Sequence, residues 1–204
     1  MIELINSASL LFILLNPFLM SVYLIALIRD LDFHHFLNVM IRAHVISGMA
    51  FILFALAGDH IFEDVFKVRF ASFLVFGGLV FLLIGIRSVF AGPGVLIETR
   101  GNPEHLTGAV TMPFMIAPGT ISASVFIGAS LEPYKAAIAI LLALVASFLS
   151  IMLFKYIHDS LHKRNEGLMN RYVEISGRVI ALFTGTYAVE MIAKGLEILL
   201  HRPL

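Results

Sequence analysis

The chain has 204 residues, of which 59% are hydrophobic and 14% charged, with a mean hydropathy of +0.95. Soluble domains carry about 45–50% apolar and about 25% charged residues, so this composition excludes an ordinary soluble domain and points to a membrane protein. Basic and acidic residues balance at 14 each and cysteine is absent, which argues against a nucleic-acid partner and excludes a disulfide framework, a thiol nucleophile and a cysteine metal site.

A helix needs about 20 mainly apolar residues to cross the hydrocarbon of a bilayer. Six stretches meet that need, at about 4–28, 39–61, 70–86, 109–131, 136–154 and 179–200. The N-terminus, Met1-Ile-Glu-Leu-Ile-Asn, has no positive leader region, so the first stretch reads as a retained span, not a signal peptide. It carries no charge but holds Asn16-Pro17 at its centre. The second has Arg42 and Asp59 near its ends, and the third is bounded by Arg69 and Arg87, which can snorkel. The fourth is uncharged, has Pro113 near its start and is interrupted close to its centre by Pro118-Gly119. The fifth is uncharged, whereas the sixth contains Glu190, Lys194 and Glu197. The larger share of basic residues flanks the first, third and fifth connections, which places those in the cytoplasm and both termini outside, in a cell (plasma or inner) membrane.

The expected fold class is therefore all-α, a polytopic membrane protein of six transmembrane helices. Two units, residues 1–100 and 101–204, hold three spans each and form one membrane domain. Three is an odd number, so the second unit would enter the membrane upside down, as in many transporters built from inverted repeats. Pro17 and Pro118 each stand four residues before a serine, Ser21 and Ser122, about half a chain apart. The third and sixth spans both carry small residues, Gly77, Gly78 and Gly85 in one and Ala181, Gly185 and Ala188 in the other, which allow close helix contact.

Proline lacks an N–H and crowds the carbonyl one turn back, so Pro17 frees the carbonyl of Ile13, Pro118 that of Phe114 and Pro113 that of Ala109. Each break starts a new half-helix inside the membrane. Asn16 suits the cap and Pro17 the first helical position, and the N–H groups of Phe18 to Ser21 are expected to lack intrahelical partners. The second half-helix should start at Pro118 and expose the N–H groups of Gly119 to Ser122. Helix starts favour anions, and the freed carbonyls suit an ammonium, so the two breaks together suit a zwitterion. The same breaks are also compatible with packing kinks. The candidate binding residues are Asn16, Pro17, Ser21, Pro113, Ala117, Pro118, Gly119, Thr120, Ile121 and Ser122.

These residues, in this order, resemble the MarC family of six-span membrane proteins, which includes transporters of small neutral amino acids. The family's Asn-Pro-x-Gly-x-x-Pro motif corresponds to Asn16-Pro17-Phe18-Leu19-Met20-Ser21-Val22. Its Pro-x-x-Ala-Gly-Pro-Gly-x-Ile motif corresponds to Pro113-Phe114-Met115-Ile116-Ala117-Pro118-Gly119-Thr120-Ile121. The resemblance continues through Gly77-Gly78 to Gly85 and from Arg178 through Tyr187 to Glu190, so it covers essentially the whole chain. This chain has Leu19 and Val22 in place of the first motif's glycine and second proline, Ile116-Ala117 in place of Ala-Gly, and Glu190 where the family often has glutamine. The resemblance implies a transporter of a small neutral amino acid, with the fourth span as the principal solute contact because its motif is the better kept.

Glu190 lies near the middle of the sixth span, where a carboxyl must face a cavity, pair or stay protonated. It is a candidate for proton coupling and equally for a structural pair with Lys194. His158 and His162 have metal-ligand spacing, but they lie past the fifth span and no glutamate follows the first, so no metal is expected, nor any other cofactor. His34, His35 and His60 read as interfacial residues, and Arg42 with His44 as the cytoplasmic end of the second span. Asp59 is a lone carboxyl near a span end, and no Ser/His pair has a supporting context, so an enzyme is not expected. The remaining classes are a passive channel or exporter and a non-transporting membrane scaffold or partner subunit. The expected partners are a small-molecule solute and the lipid bilayer, with proton or cation coupling and a homo-oligomer left open.

Overall fold

The computed structural model describes residues 1–65, 67–91, 103–162 and 166–201. Every regular element among them is helical: α1 (Ile2–Leu15), α2 (Pro17–Tyr23), α3 (Ile25–Asp30), α4 (Phe33–His60), a π-helical turn (Ile61–Val65), α5 (Phe70–Ala91), α6 (Pro103–Val110), a second π-helical turn (Thr111–Met115), α7 (Pro118–Ser130), α8 (Pro133–His162) and α9 (Glu166–His201). Four stretches among the described residues are long and apolar enough to cross a membrane, Ile2–Tyr23, Phe33–Gly58, Phe70–Phe90 and Pro133–Ser160. The fourth expected span is divided into α6, the second π turn and α7, and the sixth is α9 with its charges. The last long connection, expected over 155–178, is helical instead in its described residues, because α8 runs to His162 and α9 starts at Glu166. Polar residues stop an apolar run but not a helix, since a helix leaving the membrane keeps its own hydrogen bonds.

α1, α4, α7 and α8 form the packed centre, with Leu11, Phe36, Met40, Phe51, Ile127 and Ile140 fully buried. α5 and α9 form a second, antiparallel pair, the most extensive helix contact among the described residues. Glycine permits it. A Cβ on Gly85 would stand 3.1 Å from the Gly185 nitrogen, one on Gly78 would stand 2.9 Å from the Ala188 carbonyl oxygen, and one on Gly195 would stand 2.9 Å from the Ala71 carbonyl oxygen.

α4 and α8 carry the same burial pattern a hundred residues apart. From 33 and 133 to 56 and 156, buried, half-buried and exposed positions coincide at every pair except 35/135 and 48/148. The turns before these helices also coincide. The N–H of Leu31 donates to Leu27 and that of Leu131 to Ile127, while the N–H of Phe36 donates to Asp32 and that of Ala136 to Glu132. In both turns an acid pairs with the residue three places on, Asp32 with His35 and Glu132 with Lys135. That hydrogen bond holds each carboxyl below the usual carboxylate range.

One charged side chain is buried among the helix ends. Lys155, 2% exposed, donates to the carbonyls of Ile28 at 2.6 Å and Leu31 at 2.8 Å and to Asp159 at 2.9 Å, with Phe36 beneath it. It satisfies carbonyls at the end of α3 that have no helical N–H to receive. Lys155→Met removes a charged donor from both carbonyls, each such bond contributing about 1.5–3 kcal/mol. The expected loss is about 3 kcal/mol in denaturant unfolding of the detergent-solubilised protein. Asp159→Asn should cost much less, because Asp159 is 41% exposed and water can replace its partner.

Candidate functional site

The first break is a single residue. Asn16 ends α1 in the left-handed region (φ 42°, ψ 72°), which asparagine tolerates better than other residues with a Cβ. Its side-chain oxygen accepts the N–H of Leu19 at 3.1 Å, and its carbonyl accepts the N–H of Met20 at 3.0 Å. The expectation of four free donors is thereby corrected: the cap takes Leu19, the new helix takes Met20, and Phe18 is the residue whose N–H precedes both. Asn16 is exposed and Pro17 buried, and Ser21 is buried with its hydroxyl donating to the Phe18 carbonyl at 2.7 Å.

The second break is longer. The π turn holds Pro113, whose side chain lies outside the described residues, and Met112 leaves helical geometry (φ −118°, ψ 129°). Ala117 is extended (φ −124°, ψ 159°), and α7 starts at Pro118 as the sequence predicts. Alanine offers no side-chain acceptor, so the cap comes from the other direction. The Thr120 hydroxyl accepts the N–H of Ala117 at 3.0 Å and lies 2.7 Å from the Met115 carbonyl and 2.9 Å from the Ala117 carbonyl, able to donate to either. The first intrahelical bond runs from the Ile121 N–H to Ala117, at 2.9 Å. The N–H groups of Gly119 and Thr120 precede it, and the N-cap has nothing to offer them. Thr120 and Ile121 are buried, and Ser122 is half-buried.

Neighbouring helices hold the second break. Pro118 sits against Gly77 of α5, where a Cβ would stand 2.7 Å from the proline Cβ. Tyr187 of α9 lies over Gly119, its hydroxyl 2.8 Å from where a Cβ would be. Tyr23, at the end of α2, packs on Phe114 of the π turn with ring centroids 5.0 Å apart and hydrogen-bonds Thr184 of α9 at 3.2 Å. Tyr23 thus joins the half-helix after the first break to the segment before the second, and both to α9. Sequence reasoning missed Tyr23 and Thr184. The available signal was that a buried tyrosine or threonine in an apolar run needs a hydrogen-bond partner.

Glu190 is not drawn into this cluster. It points outward from α9, 3.4 Å from Lys194, the two side chains being 58% and 65% exposed. His158 is buried, with Nδ1 3.5 Å from the Asp159 carboxylate. The described residues contain no cluster of three metal-ligating side chains.

A family model described as MarC family integral membrane protein matches residues 1–200. The chain is 26% identical over 196 residues to the UPF0056 membrane protein PH0214 of Pyrococcus horikoshii, covering 95% of this chain and 93% of that protein. No solved structure matches it. A family match that runs from end to end, over an all-helical chain with several apolar helices long enough to span a bilayer, has one reading: this multi-pass protein belongs to the MarC family of integral membrane proteins.

Proposed function

We propose that this chain carries a small solute of the neutral amino acid class across the membrane by alternating access, with six spans arranged as two inverted three-helix units and a midplane site at the two helix breaks. The contact of Tyr23 with Phe114 and Thr184 carries the reading, because it ties the half-helix that follows the first break to the segment that precedes the second. The coincident burial of α4 and α8 and the coincident turns before them support two units of one plan. The antiparallel packing of α5 on α9 is what inversion requires of third spans.

The N–H groups of Gly119 and Thr120, which precede the first intrahelical bond of α7, suit a solute carboxylate, and the carbonyls released by Pro17 and Pro118 suit its ammonium. Ala117, Pro118, Ile121 and Ser122 shape the second half-site, and Asn16, Pro17 and Ser21 the first. Because Asn16 caps its own half-helix, the second half-site supplies more of the anion contact. A thermal-shift screen of the purified protein against amino acids, followed by uptake and counterflow in proteoliposomes, tests the reading. Saturable counterflow supports it, flux without saturation makes the protein a channel, and the absence of any ligand response makes it a scaffold. Gly119→Leu, which displaces Tyr187 from the break, should weaken solute binding at least about tenfold, or about 1.4 kcal/mol. Leu19→Gly should change it far less, and equal losses would remove the asymmetry between the half-sites.

A further inference from the structure

We infer that the outward face of α9 is an interface between two copies of this chain, closed around Glu190 and Lys194. The depth of these two residues follows from the helix they pack beside. Gly78 of α5 faces Ala188 and Ile192, and Ala71 and Val75 face Gly195. Glu190 therefore lies level with Gly78, close to the middle of the apolar stretch Phe70–Phe90, and Lys194 lies one turn toward its start. Hydrocarbon does not solvate such groups, and side chains of this kind in membrane helices face protein or water.

A water path would need a wall opposite the charges. Glu190 and Lys194 are instead more than half exposed, on the side of α9 away from α5. Phe183 and Tyr187 continue the same stripe at spacings of four and three residues, and Phe183 is 72% exposed. Spacings of four and three mark a seam for a second helix. The pair is self-complementary. A two-fold axis along the membrane normal brings two carboxylates and two ammoniums into one neutral ring, each Lys194 reaching the Glu190 across the axis. Tyr187 belongs to this stripe and its hydroxyl reaches Gly119, so the second copy would brace the side chain that covers the second break. The inference rests on α5 crossing the membrane and holds whether or not the protein transports.

The test uses the absence of native cysteine. In proteoliposomes at low protein density, Phe183→Cys should be captured by oxidation or a short bis-maleimide at twice the chain mass. Leu53→Cys, on the outward face of α4, should not. Glu190→Lys places four cations together and should reduce capture at least severalfold, and adding Lys194→Glu should restore it. Single-molecule photobleaching of the cysteine-labelled protein should show two steps. If Glu190→Lys fails to insert, Glu190→Gln should still give a measurable loss of two-step molecules. Single-step bleaching, equal capture through Leu53→Cys, or capture indifferent to the charge swap overturns the proposal. So does a monomer whose Phe183→Cys reacts with a charged, membrane-impermeant thiol reagent, because the stripe would then line water.

Discussion

Gly128→Ala should prevent the protein from reaching a stable fold. Gly128 of α7 lies against the backbone of α4 at Ala55, where a Cβ would overlap the Ala55 carbonyl oxygen and stand 2.8 Å from its Cα. No rotamer change relieves a clash with backbone, so one helix must move. α4 cannot retreat freely, because its other side packs on α8, with Phe51 and Ala43 fully buried and Gly48 against Leu144. Overpacking a core usually costs about 1–3 kcal/mol, and a backbone contact this close belongs at or beyond the upper end. The measurement is the yield of monodisperse protein in detergent and its melting temperature. Gly108→Ala is the control: nothing stands within 4 Å of a Cβ there, and alanine gains up to about 1 kcal/mol of helix propensity over glycine. If both variants melt alike, the closeness of α4 and α7 does not limit stability.

The position a hundred residues after Ala55 is Lys155, and the two close the bundle by different means. At Ala55 the backbones touch because residue 128 has no side chain. At Lys155 a buried ammonium reaches the end of α3. This contrast shows why the sequence disclosed only part of the arrangement. The breaks were legible because proline and a capping asparagine act locally, through a missing N–H and a side-chain acceptor. Accordingly α2 starts at Pro17 and α7 at Pro118 as read. The π turn was not legible, because Pro113 forbids one hydrogen bond without saying how the chain reroutes the others. Nor was Lys155, which reads as a loop cation unless α3 is known to end beside it. The correspondence of α4 with α8 is carried by burial and not by residue type: Phe36 stands opposite Ala136, and Ala55 opposite Lys155, so residue identities conceal it. In the candidate site, Asn16 and Gly119 could be chosen from the sequence, but Tyr23 and Thr184 meet only because the helices fold together.

Gly77→Ala should damage the site more than any other single methyl addition near it. A Cβ at Gly77 would stand 2.7 Å from Pro118 Cβ and 2.8 Å from Pro118 Cδ, and closer still to Cγ. A proline ring has almost no freedom to yield, and Pro118 is the first residue of α7, preceded by an extended Ala117 that Thr120 holds in place. α5 cannot withdraw, because Gly78, Gly85 and Gly195 lock it to α9. The displacement therefore falls on the break, where Gly119 and Thr120 present their N–H groups. The expected result is a stability loss of about 1–3 kcal/mol together with a loss of solute response in the thermal-shift assay. Gly78→Ala separates the two effects. Its methyl would meet the Ala188 carbonyl oxygen at 2.9 Å and Ile192 Cγ1 at 2.6 Å, on the face of α5 toward α9, about 100° around the helix from the one that meets Pro118. It should cost comparable stability while leaving solute affinity nearly unchanged. Pro118→Ala completes a double-mutant cycle with Gly77→Ala. If the two residues act through direct contact, the methyl at 77 does less harm once the ring at 118 is gone, and the cycle shows a coupling of about 0.5–3 kcal/mol. An undiminished effect of Gly77→Ala in that background would mean that the damage passes through α9 instead, and Gly77 would then be a packing residue of the α5–α9 pair.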